Sequence, residues 1–388
     1  TFERDKKVKK WCHENKVKWT ECPQFGVVRP LASRDGWARN WNHFMSQSVI
    51  AAPRAAQSLS VPISFELGKY DFPGDSKPFR QKGGTRIAKK TLESFLRERG
   101  RFYSKQMSSP NSAWEACSRL SPYFSFGNIS MRQVWQATEL QRVEGYEESG
   151  WRGSLAAFSS RLRWHCHFIQ KLEDEPEIEF ENMNRAMDGL RESEFNEAYF
   201  EAWKEGRTGY PLIDACMRAL LHTGWINFRM RAMLVSFSSY HLWLHWRKPA
   251  LYLAKHFLDF EPGIHFSQIQ MQSGTTGINS IRIYSPIKQV FDQDPQGEFI
   301  KKWVPELEAV PTEFIAEPHK MPSSLQKKIG CLIGKIYPAP IVEHAPAYTE
   351  AKKRIFSWKA KKEVKEASQK VFLKHGSRKK RPAFKRSP

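Results

Sequence analysis

The sequence predicts a mainly α-helical protein, and three observations carry that expectation. Between residues 90 and 310, apolar side chains recur at helical spacing, and no stretch alternates as a half-buried strand would. Helix punctuation stands where such segments begin and end, with Ser121-Pro122 as a start and Thr223-Gly224 as a joint. Strand-like alternation is confined to Val17-Lys18-Trp19-Thr20, after a helical stretch over 4–15. One helix and one strand make no domain, so residues 1–30 either pack on the rest of the chain or are the incomplete end of an α/β domain preceding the helical one; the second reading is favoured.

The elements follow in order. Residues 31–90 are loop-rich, with Pro53, Pro62, Pro73, Pro78 and Gly83-Gly84. They read as an ordered interdomain linker with short helices, anchored by Trp37, Trp41 and Phe44. Ile87, Leu92, Phe95 and Leu96 predict a helix toward Arg99, ended by Gly100. Ser121 is expected as an N-cap with Pro122 first in its helix. Helices are expected near 130–146, 151–171 and 190–206, and then over 211–222 and 226–246. A helical domain over 91–355 and a basic, disordered tail over 356–388 complete the organisation.

Of the 388 residues, 62 are Lys or Arg and 41 are Asp or Glu, a net charge of +21. From Ala351 to Pro388 there are 15 basic and 2 acidic residues, so the tail carries most of the excess. Such a chain is drawn to polyanions, nucleic acid first, through phosphate contacts that release counterions. Alternatively, the tail is a solvated basic end, or its run 375–382 a nuclear address; the tail reading and a cytoplasmic location are favoured. Cys12, Cys22, Cys117, Cys166, Cys216 and Cys331 include no C-x-x-C pair, which argues against disulfide, zinc and iron–sulfur frameworks and expects no metal. No apolar run is long enough to span a membrane. The 14 Trp and 26 Phe are mostly core, with a minority placed to stack on bases or pass electrons.

Residues 203–247 contain W-K-E-G-R-T-G-Y-P-L-I-D-A-C-M-R, then T-G-W, then an Arg-rich helix. This stretch resembles the most characteristic motif of the photolyase/cryptochrome family. Cys117-Ser118-Arg119-Leu120-Ser121-Pro122-Tyr123 resembles its S-R-L-S-P-Y flavin-phosphate motif. Arg282-Ile283-Tyr284-Ser285-Pro286, Gly297-Glu298-Phe299-Ile300, Trp303-Val304-Pro305-Glu306-Leu307 and Tyr337-Pro338-Ala339-Pro340-Ile341-Val342 resemble its closing segments. The likeness covers roughly residues 1–355, and Arg4-Asp5-Lys6-Lys7-Val8 resembles the last helix of the family's α/β domain.

The resemblance implies an all-helical FAD-binding domain. FAD needs its diphosphate neutralised and its ring kept from bulk water. The implied cofactor residues are Tyr103, Cys117, Ser118, Arg119, Leu120 and Ser121, then Arg231 paired with Asp259, and Phe260 and Glu261. His265 is implied near flavin N5, with a solvated loop histidine as the alternative. Trp246 matches one position of the family's electron-transfer chain. The other two fall near Gln268 or Ile269 and near Ser193, so Trp225 and Trp243 offer another route or belong to the core.

On the substrate side the resemblance places Arg161, Trp164, Phe228 and Arg229 in a cavity facing DNA, damaged or single-stranded. Arg161 stands where the family has a Glu, and Phe228 where it has an Asn; an exposed helix face and core packing are the plain alternatives. The expected activity is light-driven electron transfer from reduced flavin to pyrimidine dimers. The alternative is a blue-light sensor that binds FAD without repair, and behind it a flavin-binding remnant with a structural or nucleic-acid-binding role. A monomer is expected; the antenna pigment and any protein partner are left open.

Overall fold

The computed structural model describes residues 2–22, 24–29, 31, 33–51, 55, 79–144 and 149–377. Pro53, Pro62, Pro73 and Pro78 of the expected linker, and the basic run over 378–382, lie outside the described residues. Among the described residues no strand forms; one isolated bridge joins Ile333 and Tyr337.

Helix α1 (Phe2–Glu14) is as expected, but residues 17–20 are irregular rather than a strand, with Val17 and Trp19 exposed. Alternating residues become a strand only beside a partner ladder that takes up their backbone groups. Helix α2 (Trp37–Ser46) buries Trp37, Trp41 and Met45. Its Trp37 indole donates to Gln170 Oε1 at 3.1 Å, and Val28 N–H donates to the same oxygen at 2.8 Å.

Helix α3 (Thr85–Arg97) ends before Gly100 and runs through a 3-10 turn into α4 (Tyr103–Gln106) and α5 (Pro110–Ala116). The next helix, α6 (Ser121–Ser125), has only five residues, and Leu120 occupies its N-cap without a side-chain bond. Ser121 is therefore not the cap. Arg119 takes a left-handed backbone at φ +59° and Leu120 is already helical, so the turn falls one residue earlier.

Helix α7 (Met131–Glu144) packs on α8 (Trp151–Asp174), the 24-residue spine of the molecule. The helix expected over 190–206 shrinks to α9 (Glu197–Lys204), because the Asn196 side chain accepts from Tyr199 N–H at 3.1 Å and caps it there. Helix α10 (Pro211–Thr223) ends at Gly224, φ +76°. The helix expected over 226–246 is broken. Helix α11 (Phe228–Ser236) passes into a π turn over Phe237–His241 and a left-handed Trp243, and α12 (Arg247–His256) resumes beyond it.

Helix α13 (Pro262–Ser273), capped by Glu261, lies along α8; α14 (Pro286–Gln293) and α15 (Glu298–Trp303) close around α10, and α16 (Ser323–Ile329) packs Leu325 and Ile329 on the same core. The longest family-like motif is a scaffold here. Asp214, fully buried, accepts from Thr208 N–H and Oγ1 at 2.8 and 2.6 Å, from Gly209 N–H and from the Tyr337 hydroxyl at 2.6 Å. Burial pushes its carboxyl up to about 6 despite those donors. Arg218 clasps Glu306 through Nη1 at 2.8 and 2.9 Å.

The expected tail is not a tail up to residue 377. Helix α17 (His344–Ala360) continues into α18 (Lys362–His375), which buries Val364, Val371 and His375. His375 meets Glu175 Oε2 at 2.6 Å, and the Lys374 carbonyl accepts from buried Arg34 Nε at 3.3 Å. Lysines on the outer face mask this apolar stripe when only composition is weighed.

Two large apolar clusters result. One gathers α10, α11 and α13 with Trp203, Trp246 and Phe257; the other gathers α2, α3, α7 and α8 with Phe95, Tyr103 and Leu120.

Candidate functional site

The site begins with the loop 117–120. Its shape is held by Arg99, whose Nη1 donates to the carbonyls of Glu115 and Cys117 at 2.7 Å and whose Nη2 reaches the Ser118 carbonyl at 3.4 Å. Arg119, in its strained backbone, lays its guanidinium 3.2 Å from the centroid of Trp114 and 5.4 Å from that of Trp225. Its Nη2 donates to Gln81 Oε1 at 2.9 Å, whereas its buried Nε has no partner. Burial pulls this guanidinium down to about 10 and Arg99 reinforces the shift. Cys117 is pushed by burial up to about 12, while Arg119, Arg99 and Arg231 oppose it. Three cations therefore surround one thiol.

Arg231, on α11, forms the opposite wall. Its Nη1 and Nη2 donate to the two oxygens of Asp259 at 2.9 Å each, and its Nε donates to the Ile226 carbonyl at 2.7 Å. The Asp259 side chain is 4% exposed and that of Arg231 24%, so a nearly buried acid holds a cation that still reaches the cleft. The ring of Phe257 lies 4.2 Å beneath the guanidinium. Glu261 caps α13 by accepting from Gly263 N–H at 3.3 Å, and burial raises its carboxyl. Phe260 packs edge-on against His265 and Phe266.

His265 is no loop residue: it lies in the first turn of α13, with its Nε2 2.8 Å from the Ala250 carbonyl. Burial lowers it to about 4, so the ring is neutral, Nε2 is the donor and Nδ1 is the nitrogen left with a free lone pair. Trp246 is deep in the core, its indole donating to Asn182 Oδ1 at 2.7 Å, with Phe266 and His245 as ring neighbours. Trp243 stacks between the guanidiniums of Arg191 and Arg354, at 4.4 and 4.1 Å.

Tyr103 and Arg161 extend the site toward solvent. Tyr103 is buried against Phe95 and Phe158; burial raises its phenol, and the approach of Arg161 opposes that. Arg161 is exposed on α8, and half-buried Trp164 follows one turn later. Phe228 is 53% exposed, so it is not core, and Arg229 keeps a buried Nε without a partner. His165, lowered by burial to about 4, senses Asp259 from α8. Electrostatic contact thus runs from Arg161 through Tyr103 and Cys117 to Arg231 and Asp259. Arg99, Trp114 and His165 were not among the expected site residues. Arg99 read as a helix end, and nothing in the sequence signals that Trp114 lies beneath Arg119.

An FAD diphosphate fits this chemistry: Arg119 brings an orphaned buried N–H, Arg99 and Arg231 add positive charge, and the Cys117 thiol and Ser121 hydroxyl are neutral. Among the described residues, no cluster of His, Cys, Asp and Glu has the form of a metal site, and no helix is long and apolar enough to cross a membrane.

Residues 158–357 match the FAD-binding domain of DNA photolyase. A deoxyribodipyrimidine photo-lyase of Streptomyces griseus is 32% identical over 333 residues, 83% of this chain and 68% of that protein. Cryptochrome-1 of Arabidopsis thaliana is 32% identical over 296 residues, 74% of this chain and 42% of that protein. In structure, the archaeal photolyase from Sulfolobus tokodaii, solved with two FAD molecules, superposes with a TM-score of 0.70 at 28% identity, over 92% of this chain and 76% of that one. The chain spans about half the length of several of the curated relatives it matches. On its helical architecture and on these likenesses together, the chain belongs to the photolyase/cryptochrome family.

Proposed function

We propose that this chain holds FAD between the 117–121 loop and the Arg231–Asp259 pair, and drives electron transfer to pyrimidine dimers in DNA under blue light. The observation that carries the reading is the two-pronged Arg231–Asp259 pair facing a cation-lined loop whose Arg119 has an unsatisfied buried Nε. A half-buried ion pair contributes little net stability against an apolar replacement, so its retention at a cleft argues for recognition. FAD, when bound and reduced, supplies a light-excitable electron donor.

The chain's own residues do the rest. Arg119, with Cys117, Ser118, Leu120 and Ser121, receives the diphosphate; Tyr103, Arg231, Asp259, Phe260 and Glu261 orient the ring and exclude water. His265 offers the lone pair of Nδ1 as an acceptor for a ring N–H. Trp164 and Phe228 are planes for extruded bases, and Arg161 and Arg229 meet the strand's negative charge. Trp246 is the one indole on the expected route, and no second indole contacts its ring among the described residues. Photoreduction through that route is accordingly slow.

The second reading is a light sensor without repair. Exposed Phe228 and cationic Arg161 favour it, because neither offers a carboxylate or amide to read a base edge. Two measurements test these readings. Arg231→Ala and Asp259→Ala are expected to lose FAD on purification; full retention in both removes the ring-side assignment. Blue-light repair of dimer-containing oligonucleotides separates the enzyme from a sensor that photoreduces without repairing.

A further inference from the structure

Arg161 differs from the other cations of the cleft. Arg231 is committed to Asp259 and the Ile226 carbonyl, Arg99 to the 115–118 carbonyls, and Arg119 to two indoles and Gln81. Arg161 pairs with no carboxylate among the described residues and is exposed, while its neighbour Tyr103 is anchored in the core. It stands one helical turn before the half-buried ring of Trp164, and residues three apart share a helix face. The Tyr103 phenol takes one of its hydrogen bonds, and the N–H groups that remain, beside an aromatic plane, suit paired acceptor atoms and have nothing to offer a ligand's N–H donor.

We propose that Arg161 is a recognition contact for a strand entering the cleft, its remaining N–H groups binding paired acceptor atoms of that strand beside Trp164. This rests on the nucleic-acid reading above and adds the ligand chemistry to it. The paired acceptors have two sources: the oxygens of a backbone phosphate, or the O6/N7 edge of a purine stacked on Trp164. In both cases Lys is a poor replacement for Arg, since the fork geometry is lost with the charge retained.

The test is dark binding of the FAD-loaded chain to three labelled single strands of equal length: all-thymidine, thymidine with one central guanine, and abasic. Wild-type protein is compared with Arg161→Gln and Arg161→Lys across a salt series. Under the proposal, Arg161→Gln loses about tenfold in affinity, and Arg161→Lys recovers only part of it. If phosphate is the source, the loss is equal for all three strands and the salt slope falls by about 0.7. If a base edge is the source, the loss is confined to the guanine strand. Arg161→Gln binding all three strands with wild-type affinity and slope overturns the proposal while leaving the nucleic-acid reading standing. Failure of the wild-type protein to bind any strand overturns both.

Discussion

Two arginine clusters, one buried and one open toward solvent, do different work. At the end of α8, Arg34 is 4% exposed, with Asp174 at 3.0 Å, the Lys374 carbonyl at 3.3 Å and His167 at 3.4 Å. Glu175 next to it takes Lys374 and His375. Asp174 and Glu175 answer the neighbouring cations from within the chain, although the buried His375 Nδ1 has no partner, and the result is a staple that holds α18 and the segment before α2 against the spine. In the cleft, by contrast, Arg119 and Arg229 keep buried Nε groups unanswered, Arg161 has the Tyr103 phenol but no carboxylate among the described residues, and Arg99 and Arg231 are engaged. The two differ in depth and in partners: carboxylates and a carbonyl of the chain close around Arg34, whereas the cleft cations lie nearer solvent and only Arg231 has an acid among the described residues.

The largest effect should separate the two clusters directly. Asp174→Ala strands Arg34 in the interior and is expected to cost about 3 kcal/mol in chemical denaturation while FAD content stays at the wild-type level. Asp259→Ala strands Arg231 and should cost a comparable amount, but with loss of the cofactor. Equal flavin retention in the two variants would erase the distinction. Next comes Trp246→Phe, which leaves Asn182 Oδ1 without its donor and should lower stability by about 2 kcal/mol. Its FAD absorbance is expected to be unchanged, because the indole lies in the core rather than in the cleft.

The smallest expected effect is a pH dependence of the staple. Burial holds His167 at about 2 and lowers His375 below its ordinary value, with Glu175 opposing the second shift. Burial alone would raise Glu175, but hydrogen bonds from His375 and Lys374 outweigh it and hold the carboxyl at about 2. At neutral pH, then, His375 is a neutral N–H donor and Lys374 supplies the charge. Below about 6.5 the unfolded chain binds protons that the folded chain refuses, so stability falls as pH falls. Below about 4.5 the Glu175 contribution begins to fade as well. Replacing His375 by Gln should flatten the drop in melting temperature between pH 7.5 and 5 by about 2 °C. Parallel curves for the two proteins would mean that the staple does not titrate.

The pairing of Arg231 with Asp259 was legible in the sequence through the family-like motif, as was the succession of helices from residue 85 onward. What escaped were features set by neighbours rather than by spacing. Residues 17–20 have the alternation of a strand but no partner ladder. Ser121 has the chemistry of a cap but follows a chain that turned at Arg119. Residues 362–375 have the composition of a solvated tail, yet their Val364, Val371 and His375 find a buried seat against the rest of the chain. The long run over 226–246 is broken by a π turn that no local propensity announces.

By itself, the sequence determined the helical class and the residue types of the candidate site. Those follow from periodicity and from hydrogen-bonding chemistry that travels with the residue. Only the tertiary structure decided which cations are spent and which are free, because that depends on which carboxylates and carbonyls arrive from distant parts of the chain. It put Glu175 and Asp174 within reach of the chain's far end, and it brought no acid at all to Arg161 among the described residues.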